Sequence, residues 1–185
     1  MTDINDSWEE NTWHLATNEN EHKIVNFEFL FWRTFYSWIM WQEDCQSCIA
    51  KDALNAHEIA LLHIIRMKER PKTVYEIGRL LNRHDIPNIQ YGIKKLIDLG
   101  YVKKVDVKAG AAKTMAYQAT PKGVENTNAF TNVKRNVLHK LVSEYGESHL
   151  KLEEATKTLT IMKGIYEEAG RLAATYKNDN VPSQN

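Results

Sequence analysis

The residues from Thr73 to Thr120 leave this chain little choice of fold. Thr73-Val74-Tyr75-Glu76 sets a hydroxyl three residues before a carboxylate, a capping box that opens a helix by satisfying its orphan N–H groups. The helix ends at Asn82, whose short amide tolerates left-handed backbone. A second helix opens at Pro87, where a missing N–H costs nothing, and runs to Leu99 before Gly100 stops it. Ile89, Ile93, Leu96 and Ile97 recur at helical spacing, so one face of it is buried. An advance of about 100° per residue puts Tyr91, Lys94, Lys95 and Asp98 on the opposite face, with Asn88 and Gln90 at its rim. Tyr101 to Val107 alternates like a strand, Lys108 to Lys113 is a turn of small residues, and Met115 to Thr120 is the return strand. Helix, turn, helix and hairpin in this order make a winged helix-turn-helix.

Such a second helix fits the DNA major groove, its first residues meeting base edges. Asn88 and Gln90 carry the amides that pair with adenine; Lys94 and Lys95 suit guanine or phosphate, and Tyr91 lies on the same face. On the hairpin Lys103, Lys104, Lys108 and Lys113 are available to phosphates. The whole chain has 24 basic and 24 acidic residues. Between Arg79 and Lys108, however, Arg79, Arg83, Lys94, Lys95, Lys103, Lys104 and Lys108 face only Asp85, Asp98 and Asp106, seven against three, or +4. A local excess of this kind is what a polyanion recognises.

The run Leu54-x-x-His57-Glu58-x-x-Leu61-Leu62, then Ile77-x-x-Leu80-Leu81, Leu96-x-x-x-Gly100-Tyr101-Val102 and Thr120-Pro121-x-Gly123 resembles the MarR-type transcriptional regulators over roughly residues 20 to 177. The order of elements and the apolar skeleton match. The contact motifs depart: Gln90-Tyr91 stands where those regulators usually have Thr-Arg, and the wing tip Lys108 to Lys113 lacks their Asp-x-Arg, as in a divergent branch. The resemblance implies a mainly α fold with a small β-wing, N- and C-terminal helices forming a dimerisation domain, and a homodimeric repressor bound to a pseudo-palindromic operator. It also implies a small-molecule effector in the crevice beside the first helix.

The flanks agree with a dimer. Residues 21–44 carry thirteen large apolar side chains, among them Phe27, Phe31, Trp32, Phe35, Tyr36 and Trp38, with no Pro or Gly. They nearly encircle a helix, so it should be buried on most sides, and a chain this short needs a second copy to do that. Trp32, Arg33 and Tyr36 are the candidate effector residues, Arg33 for a carboxylate. Cys45-Gln-Ser-Cys48, expected in a loop or fraying helix end, reads as inert thiols, as half of a zinc site or as a redox pair. His57 and His63 lie on different sides of one helix and do not close a zinc site with it. No metal or cofactor is therefore assigned. Asn55 to Glu58 is a second capping box, opening a helix to Lys68; the basic connector Arg66 to Lys72 reads as a solvated loop able to reach the DNA backbone, and a short strand near Thr73 can pair with the wing. Thr120-Pro121 starts a helix that runs to Tyr145 and ends at Gly146. In the last helix Ala155, Leu159, Met162, Tyr166, Ala169, Ala173 and Tyr176 form a coiled-coil seam.

The expected organisation is a mobile arm over 1–20 whose Trp8 and Trp13 either dock on a partner subunit or are incidental to a loose tail, a dimerisation helix over 21–52, the winged unit over 53–120, dimerisation helices over 121–177 and a polar tail over 178–185. No apolar run is long enough for a membrane span, the start is unlike a secretory signal, and two cysteines build no disulfide framework, which together indicate a cytoplasmic protein. No nucleophile elbow, P-loop, zinc-protease motif or carboxylate pair is present, so no enzyme is indicated. Two functions remain: a sequence-specific regulator of double-stranded DNA, or a winged-helix module for protein–protein contact without sequence-specific DNA binding.

Overall fold

A computed structural model of the chain describes residues 14–109, 112–146 and 150–179. It divides into two units, the first reaching Lys134 and the second beginning at Arg135. The expected docking of Trp8 and Trp13 falls outside the described residues.

In the first unit α1 spans Glu19–Ile49, α2 Ala56–Arg66, α3 Val74–Leu80, α4 Ile86–Asp98 and α5 Pro121–Lys134, with strands β1 Val102–Ala109 and β2 Ala112–Ala119 between α4 and α5. Asn18 caps α1 by accepting from the N–H groups of Asn20 and Glu21, so this helix starts before the expected 21–52 and ends short of its last residues. Cys45 and Cys48 are thus helical: both lie in the last turns of α1, and neither is in a loop. Asn55 and Glu58 form the full capping box of α2, each side chain bonding the other's N–H at 2.9 Å. The box at α3 is only half made. Thr73 accepts from Glu76 N–H, but the Glu76 carboxylate is taken by Arg70. Asn82 and Gly100 both have positive φ, 53° and 78°, and end α3 and α4 as their side chains allow.

The core is where these elements meet. Ile59, Leu61, Leu62 and Ile65 of α2 pack with Ile77 of α3, Ile89, Ile93 and Leu96 of α4, Tyr101 just before β1, Val102 of β1, Tyr117 of β2, Phe130 of α5 and Cys45 of α1. The strands are antiparallel in the register Val102↔Ala119 to Ala109↔Ala112. A single bridge, Lys72↔Tyr117, adds a third edge, as a short strand near Thr73 should.

The connector before α3 differs from expectation. Lys72 is buried, its ammonium donating to the carbonyls of Ile65, Met67 and Arg70. Arg66 bonds the Val124 carbonyl and Thr127 Oγ1, and Arg70 bonds Glu76. α2 ends with carbonyls that lack intrahelical partners, and the nearest cations are drawn in to satisfy them and the adjacent α5. Arg66 and Lys72 are thus tied to their own chain, while Lys68 and Arg70 stay exposed.

α1 gives little of itself to this core. Val25, Gln42, Cys45 and Gln46 are buried, whereas Ile24, Leu30, Phe31, Trp32, Phe35, Tyr36, Trp38 and Met40 are exposed. The expected burial on most sides is not achieved within one chain. In the second unit a π-helical segment, Arg135–His139, precedes α6, Lys140–Tyr145, which Gly146 ends at φ 85°. α7 spans Leu152–Asp179, and its seam residues Ala155, Leu159, Tyr166, Ala169 and Ala173 are exposed. No helix among the described residues is long and apolar enough to cross a membrane.

Candidate nucleic-acid interface

The outer face of α4 is built by contrast with its inner one. Ile89, Ile93 and Leu96 are at most 1% exposed. Gln90 and Lys94 are exposed and Tyr91 is 73% exposed. The helix begins at Ile86 with Pro87 in its first turn, and Asp85 precedes it. Asp85 does not cap through its side chain; its carboxylate accepts from Arg83 Nε at 2.8 Å and from the Asn88 amide at 3.2 Å. The Arg83 guanidinium holds that carboxyl far below the usual carboxylate range. Asn88 is exposed but enters any base contact with one amide hydrogen already engaged.

Lys95 does not join Lys94. Its ammonium meets Glu58 Oε2 at 2.8 Å and the Ala53 carbonyl at 3.0 Å, so it braces α4 against α2. The Glu58 side chain is only 4% exposed, and a carboxylate that deep requires its cation. Lys95 therefore ties α4 to α2, while its side chain stays 39% exposed. Asn88, Gly92 and Lys95 follow each other at spacings of four and three, the stripe of α4 that α2 crosses. A Cβ on Gly92 would lie 2.6 Å from Leu61 Cδ1, so α2 and α4 approach closely at this buried glycine.

The pleat divides the wing lysines. Residues directly opposite in an antiparallel pair share a face. Lys104↔Tyr117, Asp106↔Met115 and Lys108↔Lys113 are such pairs, so Lys104, Lys108 and Lys113 lie together, with Asp106 among them. Lys103, opposite Gln118, lies on the other face. All four are exposed.

The remaining candidates are placed as follows. Trp32 and Tyr36 are 64% and 60% exposed, and Arg33 lies over the Phe29 ring at 5.5 Å. A cleft of about 610 Å³ lies elsewhere, among Glu43, Gln46, Lys51, Asp52 and Lys95. Cys45 is buried and Cys48 exposed, both free. Burial pushes the Cys45 thiol up, away from the reactive thiolate. No group of metal-ligating side chains occurs among the described residues. His63 packs edge-on against Phe130, ring centroids 4.7 Å apart.

Sequence reading missed the ties that hold α4 in place: Glu58 to Lys95, Arg83 to Asp85, and Tyr101 with Lys122 to Asp52. The Tyr101 hydroxyl and Lys122 ammonium both reach Asp52 Oδ2, at 2.7 and 2.9 Å, fixing the α1–α2 loop to the ends of α4 and α5. Only the first had a signal, since Lys95 shares the stripe of the inward Gly92.

Residues 54–123 match the winged helix DNA-binding domain family, which covers the α2-to-wing unit described above. The chain also shares its fold with solved structures. A MarR-family transcription regulator is 12% identical, with a TM-score of 0.65 over 80% of this chain and 93% of its own. A mutant of Escherichia coli MarR complexed with operator DNA is 14% identical, with a TM-score of 0.61 over 77% and 99%. The Staphylococcus aureus MepR–DNA complex is 18% identical, with a TM-score of 0.58 over 74% and 95%. No curated protein matches the sequence. The winged helix-turn-helix with flanking helices is thus the fold of this chain, and it is a fold that MarR-family regulators share.

Proposed function

We propose that this chain, which carries a winged helix DNA-binding domain in a fold shared with MarR-family regulators, is itself a MarR-type repressor. It acts in the cytoplasm as a homodimer on a pseudo-palindromic operator. The observation that carries the reading is α4. Its inner face is sealed into the core, and Gln90, Tyr91 and Lys94 stand exposed on the outer one. Gln90 and Asn88 supply amides for base edges, Tyr91 an aromatic edge for the thymine methyl, and Lys94 a cation for guanine or phosphate. Lys104, Lys108 and Lys113 line one face of the wing for the flanking backbone, with Lys103 on the other. Two of the similar solved structures are DNA complexes.

Dimerisation is supported by the apolar surface that one chain leaves uncovered: the aromatic face of α1 and the seam of α7. A two-fold pair would set two α4 helices about one DNA turn apart. A partner subunit against α1 would also close a pocket around Trp32, Arg33 and Tyr36 for an effector. Oxidation of Cys45 and Cys48 is a second route to switching, and it requires the last turn of α1 to open, because Cys45 is buried.

The test is a salt titration of binding to the DNA beside the chain's own coding region, against random duplex. The expected result is preference for the former and a steep fall in log affinity with log salt. Absence of both would favour the second reading, a protein-docking winged helix, for which Tyr75 and Tyr91, each 73% exposed, are the available anchors.

A further inference from the structure

We infer that His57 is a positioning residue for the DNA-reading half of α4, and that a proton on its ring releases that half. The inference rests on the DNA-binding role proposed above. α2 touches α4 at three levels. Lys95 meets Glu58, Gly92 admits Leu61, and at the reading end the contact is His57. Its ring meets the backbone carbonyl of Asn88, and Arg83 Nη1 lies within 3.0 Å of both ring nitrogens. Arginine donates and cannot accept. One ring nitrogen must therefore stay bare toward Arg83, which only neutral imidazole provides. Arg83 holds the Asp85 carboxylate, and Asp85 holds the Asn88 amide. The relay His57, Arg83, Asp85, Asn88 runs from α2 into the first turn of α4.

A proton on the bare nitrogen replaces an acceptor with a donor and sets imidazolium against guanidinium. The neighbouring acids are engaged: Glu58 by Lys95 and the Asn55 N–H, Asp85 by Arg83 and Asn88. Arg83 must swing away, and Asp85 follows it. Burial and then the Arg83 charge hold the His57 pKa below its ordinary value, in agreement with a site built for the neutral ring. His84, the next residue after Arg83, is exposed and serves as the control.

The experiment uses the full chain and a labelled duplex selected by it from a random pool at about pH 8. Affinity should fall severalfold between about pH 8 and pH 5.5 and continue to fall toward about pH 5, within the usual range of coupling between sites. His57→Gln, which keeps an acceptor for Arg83 and gains no proton, should bind with a flat profile. His57→Ala should be weak throughout, and His84→Asn should keep the wild-type slope. Circular dichroism at each pH certifies the fold. In parallel, amides 88–90 of the DNA-free protein should lose protection in acid, relative to the intrinsic exchange rate at each pH, for wild type and not for His57→Gln. Should His57→Gln fail to fold, Arg83→Met replaces it, with the same loss of slope expected. An unchanged slope in the Gln variant, or protection at 88–90 that does not change with pH in wild type, overturns the inference. Absence of any selected duplex would overturn the DNA-binding reading instead, and the exchange measurement would still decide the role of His57.

Discussion

Lys94 is exposed on the outer face of α4, whereas Lys95, one residue on, is held by Glu58 and Ala53. Substitution should separate the two. Lys95→Ala strands a carboxylate that is 4% exposed and should cost about 2 kcal/mol, the scale of an unsatisfied buried group, in a urea melt. Lys94→Ala should leave that melt unchanged and reduce the salt slope of DNA binding by about one, the value for one lost phosphate contact. His63 makes a third residue-scale prediction. Burial, then the charges of Lys134 and Arg66, lower its pKa from 6.5 to about 4. The unfolded chain takes up this proton first as pH falls. The stabilisation is thus complete above about pH 6.5 and is lost toward pH 4, a loss of about 3 kcal/mol at about 1.4 kcal/mol per unit. Denaturant melts across that window should show the loss, and His63→Leu should flatten it.

At the scale of elements, two glycines set how closely helices and strands approach. Gly92 admits Leu61, which is fully buried. Gly92→Leu should cost at least about 1–3 kcal/mol by overpacking and lower the melting temperature. Gly123 lies against the Tyr101 carbonyl, where any Cβ would overlap backbone oxygen. A side chain can turn aside, but a strand fixed in register cannot, so Gly123→Ala should be the more damaging of the two despite its single added methyl. The wing is organised the same way: its pleat, not the number of its lysines, puts Lys104, Lys108 and Lys113 together and Lys103 apart.

For the whole molecule the governing fact is uncovered apolar surface. Phe31, Trp32, Phe35, Tyr36 and Trp38 are each more than 40% exposed along α1. Apolar surface stabilises by about 25 cal/mol per Å² when removed from water, so a continuous aromatic face of this length favours association. Sedimentation at micromolar concentration should give twice the mass of one chain. Phe31→Glu with Trp38→Glu should give a single chain that retains its α4 and wing, detectable by unchanged His57 and Lys95 contacts in an NMR spectrum. A wild-type chain that sediments singly at every concentration would remove the dimer from the proposed function, and with it the two-fold operator.

Local physics in the sequence was sufficient to determine the elements. Caps, a proline, two left-handed stops and apolar spacing fixed α2, α3, α4 and both strands, because each depends on residues within a few positions of one another. The same spacing identified the inner face of α4 and the exposed Gln90, Tyr91 and Lys94. What it could not assign was the partner of each long polar side chain. Lysine and arginine reach several ångströms in many directions, and only the folded arrangement puts Glu58 beside Lys95, three carbonyls around Lys72, and Arg83 between His57 and Asp85. Tertiary structure alone therefore decided which cations stay exposed and which tie α4 to its neighbours.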